Sequence, residues 1–185
     1  MIVSRAQYAD VLAYLQRRDT RRNPHRLPLE RYAWSDGEYF FTLCARRCGE
    51  PFRDPALATA LLRALLWRKA RHGWLLFCYC LMPDHLHFLV QLPDAMRGVR
   101  DAGARGEELE SILQQVADFK SYTTSQLWWK AGGIGPLWQQ SSYDRVIRYN
   151  DSIDQAVHYV LQNPMRKGLV EDWKHYPYAR LVDAV

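Results

Sequence analysis

The sequence predicts an α+β fold in which an antiparallel sheet carries helices packed on one face. Strand-like and helix-like runs alternate along the chain, two of the strand-like runs are joined by a tight turn, and no internal repeat or low-complexity tract interrupts them. With 185 residues, 48% of them hydrophobic, the chain is long enough for one domain to bury a core of its own.

Residues 1–30 read as a basic N-terminal arm. Helical spacing over 8–16 runs into Arg17, Arg18, Arg21, Arg22, His25 and Arg26, broken by Pro24 and Pro28. The domain proper is expected over 31–180, with 181–185 as a tail. After the turn signal Ser35-Asp36-Gly37, the run Tyr39-Phe40-Phe41-Thr42-Leu43-Cys44 is rich in strand formers and predicts a first strand over 38–46. Asp54-Pro55 is a cap followed by a first-turn proline, and Leu57, Leu61 and Leu65, with Leu62 and Leu66 beside them, predict a buried-face helix to about residue 72. Gly73 ends it. The apolar run 74–82 predicts a central strand, Pro83-Asp84 a turn, and 85–92 a third strand, so these two form a hairpin.

A loop rich in Gly, Asp and Arg covers 93–106. Helical spacing then returns from 107 to about 130 through Leu109, Ile112, Leu113, Val116 and Phe119, and Gly132-Gly133 closes it. Residues 137–148 lack that period and predict a fourth strand. Asp151 is placed to cap a third helix, which Pro164 must end by about Asn163; Trp173, Tyr176 and Tyr178 then pack across the domain. The order βαββαβα is that of a ferredoxin-like topology.

A net charge of +5 suits a partner that carries phosphates. No apolar stretch approaches the roughly 20 residues of a membrane span, and the charged N-terminus does not read as a secretory signal, so a cytoplasmic protein without a membrane partner is expected. Cys44, Cys48, Cys78 and Cys80 match neither a zinc pattern nor a disulfide framework. They read as reduced and structural, with Cys78 and Cys80 on one face of a strand.

The informative stretch is Leu81-Met82-Pro83-Asp84-His85-Leu86-His87-Phe88-Leu89-Val90. On a strand, His85 and His87 stand side by side on one open face while Leu86, Phe88 and Val90 point to the core under the helices. Two neutral imidazoles so placed can bind a divalent ion; equally, an isolated HxH can populate a solvated strand face. In the third helix, Tyr159 and Asn163 are i and i+4 and share a face. A phenol is a nucleophile toward phosphorus when assisted, and an amide oxygen is a metal donor; the same pair also reads as a packed tyrosine before a helix-ending Asn-Pro.

Taken together, Tyr39-Phe40-Phe41-Thr42, Met82-Pro83-Asp84-His85-Leu86-His87, Gly135-Pro136-Leu137-Trp138-Gln139, Tyr143-Asp144-Arg145-Val146-Ile147-Arg148 and Tyr159-Val160-Leu161-Gln162-Asn163-Pro164, followed by Gly168-Leu169-Val170, resemble the REP-associated tyrosine transposases, which are single-tyrosine HUH enzymes. The resemblance runs in order over about residues 31–180. It implies an HUH nuclease fold and cleavage and rejoining of single-stranded DNA at hairpins resembling repetitive extragenic palindromes. It further implies Mg²⁺ or Mn²⁺ and a 5′-phosphotyrosine intermediate, in a monomer or a homodimer. His85 and His87 match the metal-binding histidines, Tyr159 the nucleophile and Asn163 the place of a third ligand. Tyr122 is a rival nucleophile, with only Gln126 as its i+4 neighbour. Two departures, Ala179-Arg180 in place of a small hydroxyl pair and the Gly- and Arg-rich loop 97–106, bear on DNA preference rather than chemistry.

Arg17, Arg18, Arg21, Arg22, Arg145, Arg148, Arg166 and Lys167 are candidates to contact DNA phosphates. A non-catalytic hairpin-binding protein, domesticated from such an enzyme, is the competing expectation. A small domain with a structural metal and a protein partner explains the histidines but not the ordered motifs.

Overall fold

In the computed structural model, which describes residues 38–46, 49–92, 112–147 and 152–183, the strands are β1 (Glu38–Cys44), β2 (Leu75–Leu81), β3 (His85–Gln91), β4 (Tyr143–Ile147) and β5 (Ala179–Leu181). They form one sheet in the order β4-β1-β3-β2-β5, antiparallel at every junction. The helices are α1 (Pro55–His72), α2 (Ile112–Tyr122), α3 (Ile153–Leu161) and the short α4 (Asn163–Arg166). The α+β class and the antiparallel sheet are as expected. The helices are not confined to one face.

Strand alternation explains why both faces are covered. Tyr39, Phe41 and Leu43 of β1 join Leu86, Phe88 and Val90 of β3 in an apolar core with Leu57, Leu61 and Leu65 of α1 and Val116 and Phe119 of α2. The residues between them, Phe40 and Leu89, face the other way, with Cys78, Cys80 and Met82, and meet Val157, Val160 and Leu161 of α3. Each such apolar side chain, fully buried, contributes about 1.5–3 kcal/mol, which is enough to hold a nine-residue helix against the sheet. A bulge between Leu76 and Cys78 turns two successive residues, Phe77 and Cys78, toward α3.

The local signals account for most boundaries. The Asp54 carboxylate accepts hydrogen bonds from the N–H groups of Ala56 and Leu57 at 2.8 and 3.4 Å, and Gly73 closes α1 at φ 67°. The Trp74 indole N–H donates to the Gln115 amide oxygen at 2.6 Å, tying the start of β2 to α2. Three boundaries differ from the sequence reading. Following α2, residues Thr123–Trp128 form a π-helical turn. The expected fourth strand shortens to β4, with Trp138 bridging Ala45 on its own. And β5, which the tail was not expected to contain, pairs with β2.

Arg17, Arg18, Arg21, Arg22, Cys48, Arg148, Asp151 and the 97–106 loop lie outside the described residues, and Arg145 enters only through its backbone, opposite Phe40. Among the described residues Cys44, Cys78 and Cys80 are in no disulfide, and the last two are buried on the α3 face.

Candidate functional site

The turn between β2 and β3 is pinned from outside. The Ala45 N–H donates to the Asp84 carbonyl at 2.8 Å, the Phe52 N–H to the Pro83 carbonyl at 3.0 Å, and the Met82 N–H to the His85 carbonyl at 2.7 Å. His85 therefore opens β3 from a fixed point, and the pleat sets His87 on the same face two residues later. Their rings lie 4.5 Å apart between centroids, inclined at 76°.

Each ring is held at Nδ1. That of His85 lies 2.6 Å from an Asp84 carboxylate oxygen, and because a carboxylate only accepts, the proton sits on Nδ1 and the Nε2 lone pair is left for another partner. Nδ1 of His87 lies 2.8 Å from the hydroxyl of Thr42, its cross-strand partner in the β1–β3 register. A hydroxyl donates or accepts, so it serves either tautomer. Neither Nε2 has a hydrogen-bond partner among the described residues.

This face is not open. His87 is only 6% exposed: Phe40 stacks on it at 5.4 Å, and Tyr159 of α3 meets it edge-on at 6.2 Å. Burial lowers the pKa of both histidines. For His85 the Asp84 carboxylate works against that and Lys167 adds to it; for His87 the charges of His85 and Arg166 lower it further. Neutral rings with available lone pairs are the form a metal ion requires.

The helix opposite supplies the rest. Val160, whose i+4 residue is Pro164, cannot receive a backbone N–H from it. The Asn163 side-chain amide takes that place, donating to the Val160 carbonyl at 3.2 Å and to the Tyr159 carbonyl at 3.1 Å. Pro164 then sits in the first turn of α4, so the Asn-Pro pair joins two helices where the sequence suggested a plain stop. With its nitrogen committed, Asn163 turns its oxygen to Arg166, which donates to it at 2.8 Å. The Arg166 guanidinium also lies over the Tyr159 ring, 4.0 Å from the centroid. The Tyr159 hydroxyl has no hydrogen-bond partner among the described residues.

His85, His87, Tyr159, Asn163 and Arg166 thus converge at the α3–α4 side of the sheet. Tyr122 does not join them. It ends α2, whose buried residues belong to the core on the opposite face, and is 46% exposed. Its i+4 neighbour Gln126 falls in the π-helical turn, where the i+5 residue takes over the stacked position. Of the basic candidates, Arg166 and Lys167 lie beside the site, both exposed. Sequence reasoning missed Thr42 and Asp84 as the groups that orient the histidines. Asp84 is adjacent in sequence and carried a readable signal; Thr42 becomes a partner only through the strand register.

As a metal centre, the donor set is two imidazoles plus an amide oxygen. No group of three His, Cys, Asp or Glu is placed to hold a metal ion among the described residues. The Asn163 oxygen, which has two lone pairs, uses one toward Arg166 and keeps one.

No family model matches the chain. Two curated relatives do. The REP-associated tyrosine transposase of Escherichia coli K12 is 24% identical over 152 residues, 80% of this chain and 79% of that protein. The chain is similar to the REP-associated tyrosine transposases. A Haemophilus influenzae protein named for the same transposases is 28% identical over 102 residues, 54% of this chain, and the match spans about half (54%) of that relative's length. A solved REP-associated tyrosine transposase bound to a REP hairpin shares the fold, at a TM-score of 0.55 and 21% identity, over 77% of this chain and 75% of that one. Among the described residues, no helix is long and apolar enough to cross a membrane.

Proposed function

We propose that this protein is a metal-dependent single-strand DNA endonuclease and strand transferase of the HUH type, acting at hairpins like the REP element bound by its structural relative. The observation that carries the reading is the meeting of β3 and α3. A tyrosine whose hydroxyl has no hydrogen-bond partner among the described residues packs edge-on, at 6.2 Å, against the inner member of a histidine pair whose Nδ1 atoms are already held.

In this reading the Tyr159 hydroxyl oxygen attacks a backbone phosphorus. The new bond is Tyr–O–P, the bond that breaks is P–O3′, the phenol loses its proton, and the departing O3′ gains one. The products are a 5′-phosphotyrosine and a free 3′-hydroxyl, and the reverse reaction rejoins strands without an added energy source. Mg²⁺ or Mn²⁺ held by Nε2 of His85 and of His87, with the Asn163 oxygen as third donor, would supply charge neutralisation at the phosphate. Asp84 and Thr42 keep the two rings turned toward that position. Phe40 and α3 keep water from the inner ring.

The test is a denaturing gel of wild type, Tyr159→Phe, Tyr122→Phe and His85→Ala with a labelled single-stranded stem–loop oligonucleotide and Mn²⁺. Wild type and Tyr122→Phe are expected to form a covalent adduct. Tyr159→Phe and His85→Ala are expected to form none, with hairpin binding retained in Tyr159→Phe. An adduct that survives Tyr159→Phe and vanishes in Tyr122→Phe overturns the assignment, and cleavage in excess chelator overturns the metal requirement. Tight hairpin binding with no cleavage by wild type identifies a non-catalytic binder instead.

A further inference from the structure

We propose that Arg166 is a positioning residue that clasps the nucleophile and the third ligand as one unit, through the flat face and the N–H fork that only a guanidinium combines. The inference rests on Tyr159 being the nucleophile.

Arg166 closes α4 three residues after Asn163, so one helical turn brings its side chain back over the α3–α4 junction. There it makes two contacts of different kinds. Its face lies 4.0 Å from the Tyr159 ring centroid, and Nη2 donates to the Asn163 oxygen at 2.8 Å. The first contact restrains the tyrosine ring that His87 meets edge-on. The second keeps the Asn163 carboxamide from exchanging its ends, because its nitrogen is already donating to the Tyr159 and Val160 carbonyls. One exposed side chain therefore fixes the orientation of two groups that must act on the same phosphate.

The neighbouring residue provides an internal contrast. Lys167 is equally exposed and carries the same charge, yet its side chain has no hydrogen bond or ion pair among the described residues. A residue present only to neutralise the DNA backbone should look like Lys167. Arg166 is instead engaged within the site before any DNA arrives. A lysine in its place keeps the charge but has no planar face to lay on the ring while it donates to Asn163. α4 itself is started by Pro164 and joined to α3 by Asn163.

The experiment measures single-turnover adduct formation by the full chain on a stem–loop oligonucleotide with Mn²⁺, in wild type, Arg166→Lys, Arg166→Met and Lys167→Met. A second readout, independent of activity, is the NMR shift of the Arg166 side chain, which the Tyr159 ring current should move upfield and Tyr159→Leu should return. Both Arg166 variants are expected to slow the adduct-forming step by about 100-fold, the scale of a small misplacement of a reacting group, with little change in KM. Lys167→Met is expected to raise KM and flatten its salt dependence while leaving that step near the wild-type rate.

A wild-type rate in Arg166→Lys overturns the proposal. So does a change confined to KM and salt dependence, which would make Arg166 another backbone contact. Faster adduct formation and tighter Mn²⁺ binding in Arg166→Met overturn it too, since Arg166 would then compete with the metal for the Asn163 oxygen. If wild type forms no adduct but the ring-current shift is present and lost in Tyr159→Leu, the clasp exists and the catalytic reading is what fails. If the shift is absent, the clasp itself is wrong.

Discussion

The two faces of the sheet are built from the same strands and differ in what they tolerate. On the α1–α2 face, Tyr39, Phe41, Leu43, Leu86, Phe88 and Val90 bring almost only ring and branched aliphatic surface to the helices. On the α3 face the same strands present Thr42, His87 and two cysteines, and α3 and α4 answer with Tyr159 and Asn163. The first face is stabilised by close packing. The second carries polar groups that are buried or nearly so: Thr42, His87 Nδ1 and the Asn163 amide have named partners, which offsets the cost of burying them, while His87 Nε2 and the Tyr159 hydroxyl have none among the described residues. Stability and chemistry are thus separated by the two-residue period of a strand.

The sharpest way to break that comparison is to truncate neighbours that point in opposite directions. Phe88 is 1% exposed and stacks on Phe41 at 5.1 Å, so Phe88→Ala should cost about 3–5 kcal/mol in denaturant unfolding. His87→Ala should cost less, about 1–3 kcal/mol, and should abolish Mn²⁺ binding measured by calorimetry. Equal stability losses, or metal binding unchanged in His87→Ala, would show that the faces are not specialised as described.

How much of this was legible in the sequence follows from the range of each interaction. Local signals read well: the Asp54-Pro55 cap, the Gly73 stop, the Pro83-Asp84 turn and the His85–His87 alternation each depend on a few adjacent residues. The second helical layer did not read, because alternation says which residues share a face but not whether a helix covers it. α3 looked like one more helix on a single-sided sheet, and His87 accordingly looked open. β5 was missed since three residues pairing with β2 leave almost no pattern of their own. Thr42 was invisible as a site residue, and Arg166 read only as a candidate DNA-phosphate contact, for the same reason: one acquires its role from strand register, the other from the turn that follows a proline.

Asn163 is where structure and chemistry overlap, so it gives an intermediate effect. Asn163→Asp keeps an oxygen for Arg166 and for a metal but deletes the two donations to the Tyr159 and Val160 carbonyls at 3.1 and 3.2 Å. The expected loss is about 1–3 kcal/mol, with faster amide exchange at the end of α3 and Mn²⁺ binding retained. Asn163→Leu should lose stability and the third donor together. If Asn163→Asp is as stable as wild type, the helix-joining role assigned to the side chain is wrong.

The smallest effect on stability and the most specific one is expected at Thr42. Thr42→Val preserves the β-branched shape that suits the strand and removes only the hydroxyl at 2.8 Å from His87 Nδ1, so unfolding should shift by about 0.5–1.5 kcal/mol. Phe40 stacked at 5.4 Å and Tyr159 edge-on at 6.2 Å still confine the plane of the ring. What the hydroxyl adds is a fixed partner for Nδ1, which leaves Nε2 as the nitrogen without a partner among the described residues. Removing an outer partner of a ligating histidine costs about 10–100-fold in metal affinity, and the confinement by Phe40 and Tyr159 argues for the lower end. Thr42→Ser should restore the affinity, because it returns the hydroxyl without the methyl. A valine variant that binds Mn²⁺ as wild type does would mean that packing alone orients His87 and that the hydrogen bond is incidental.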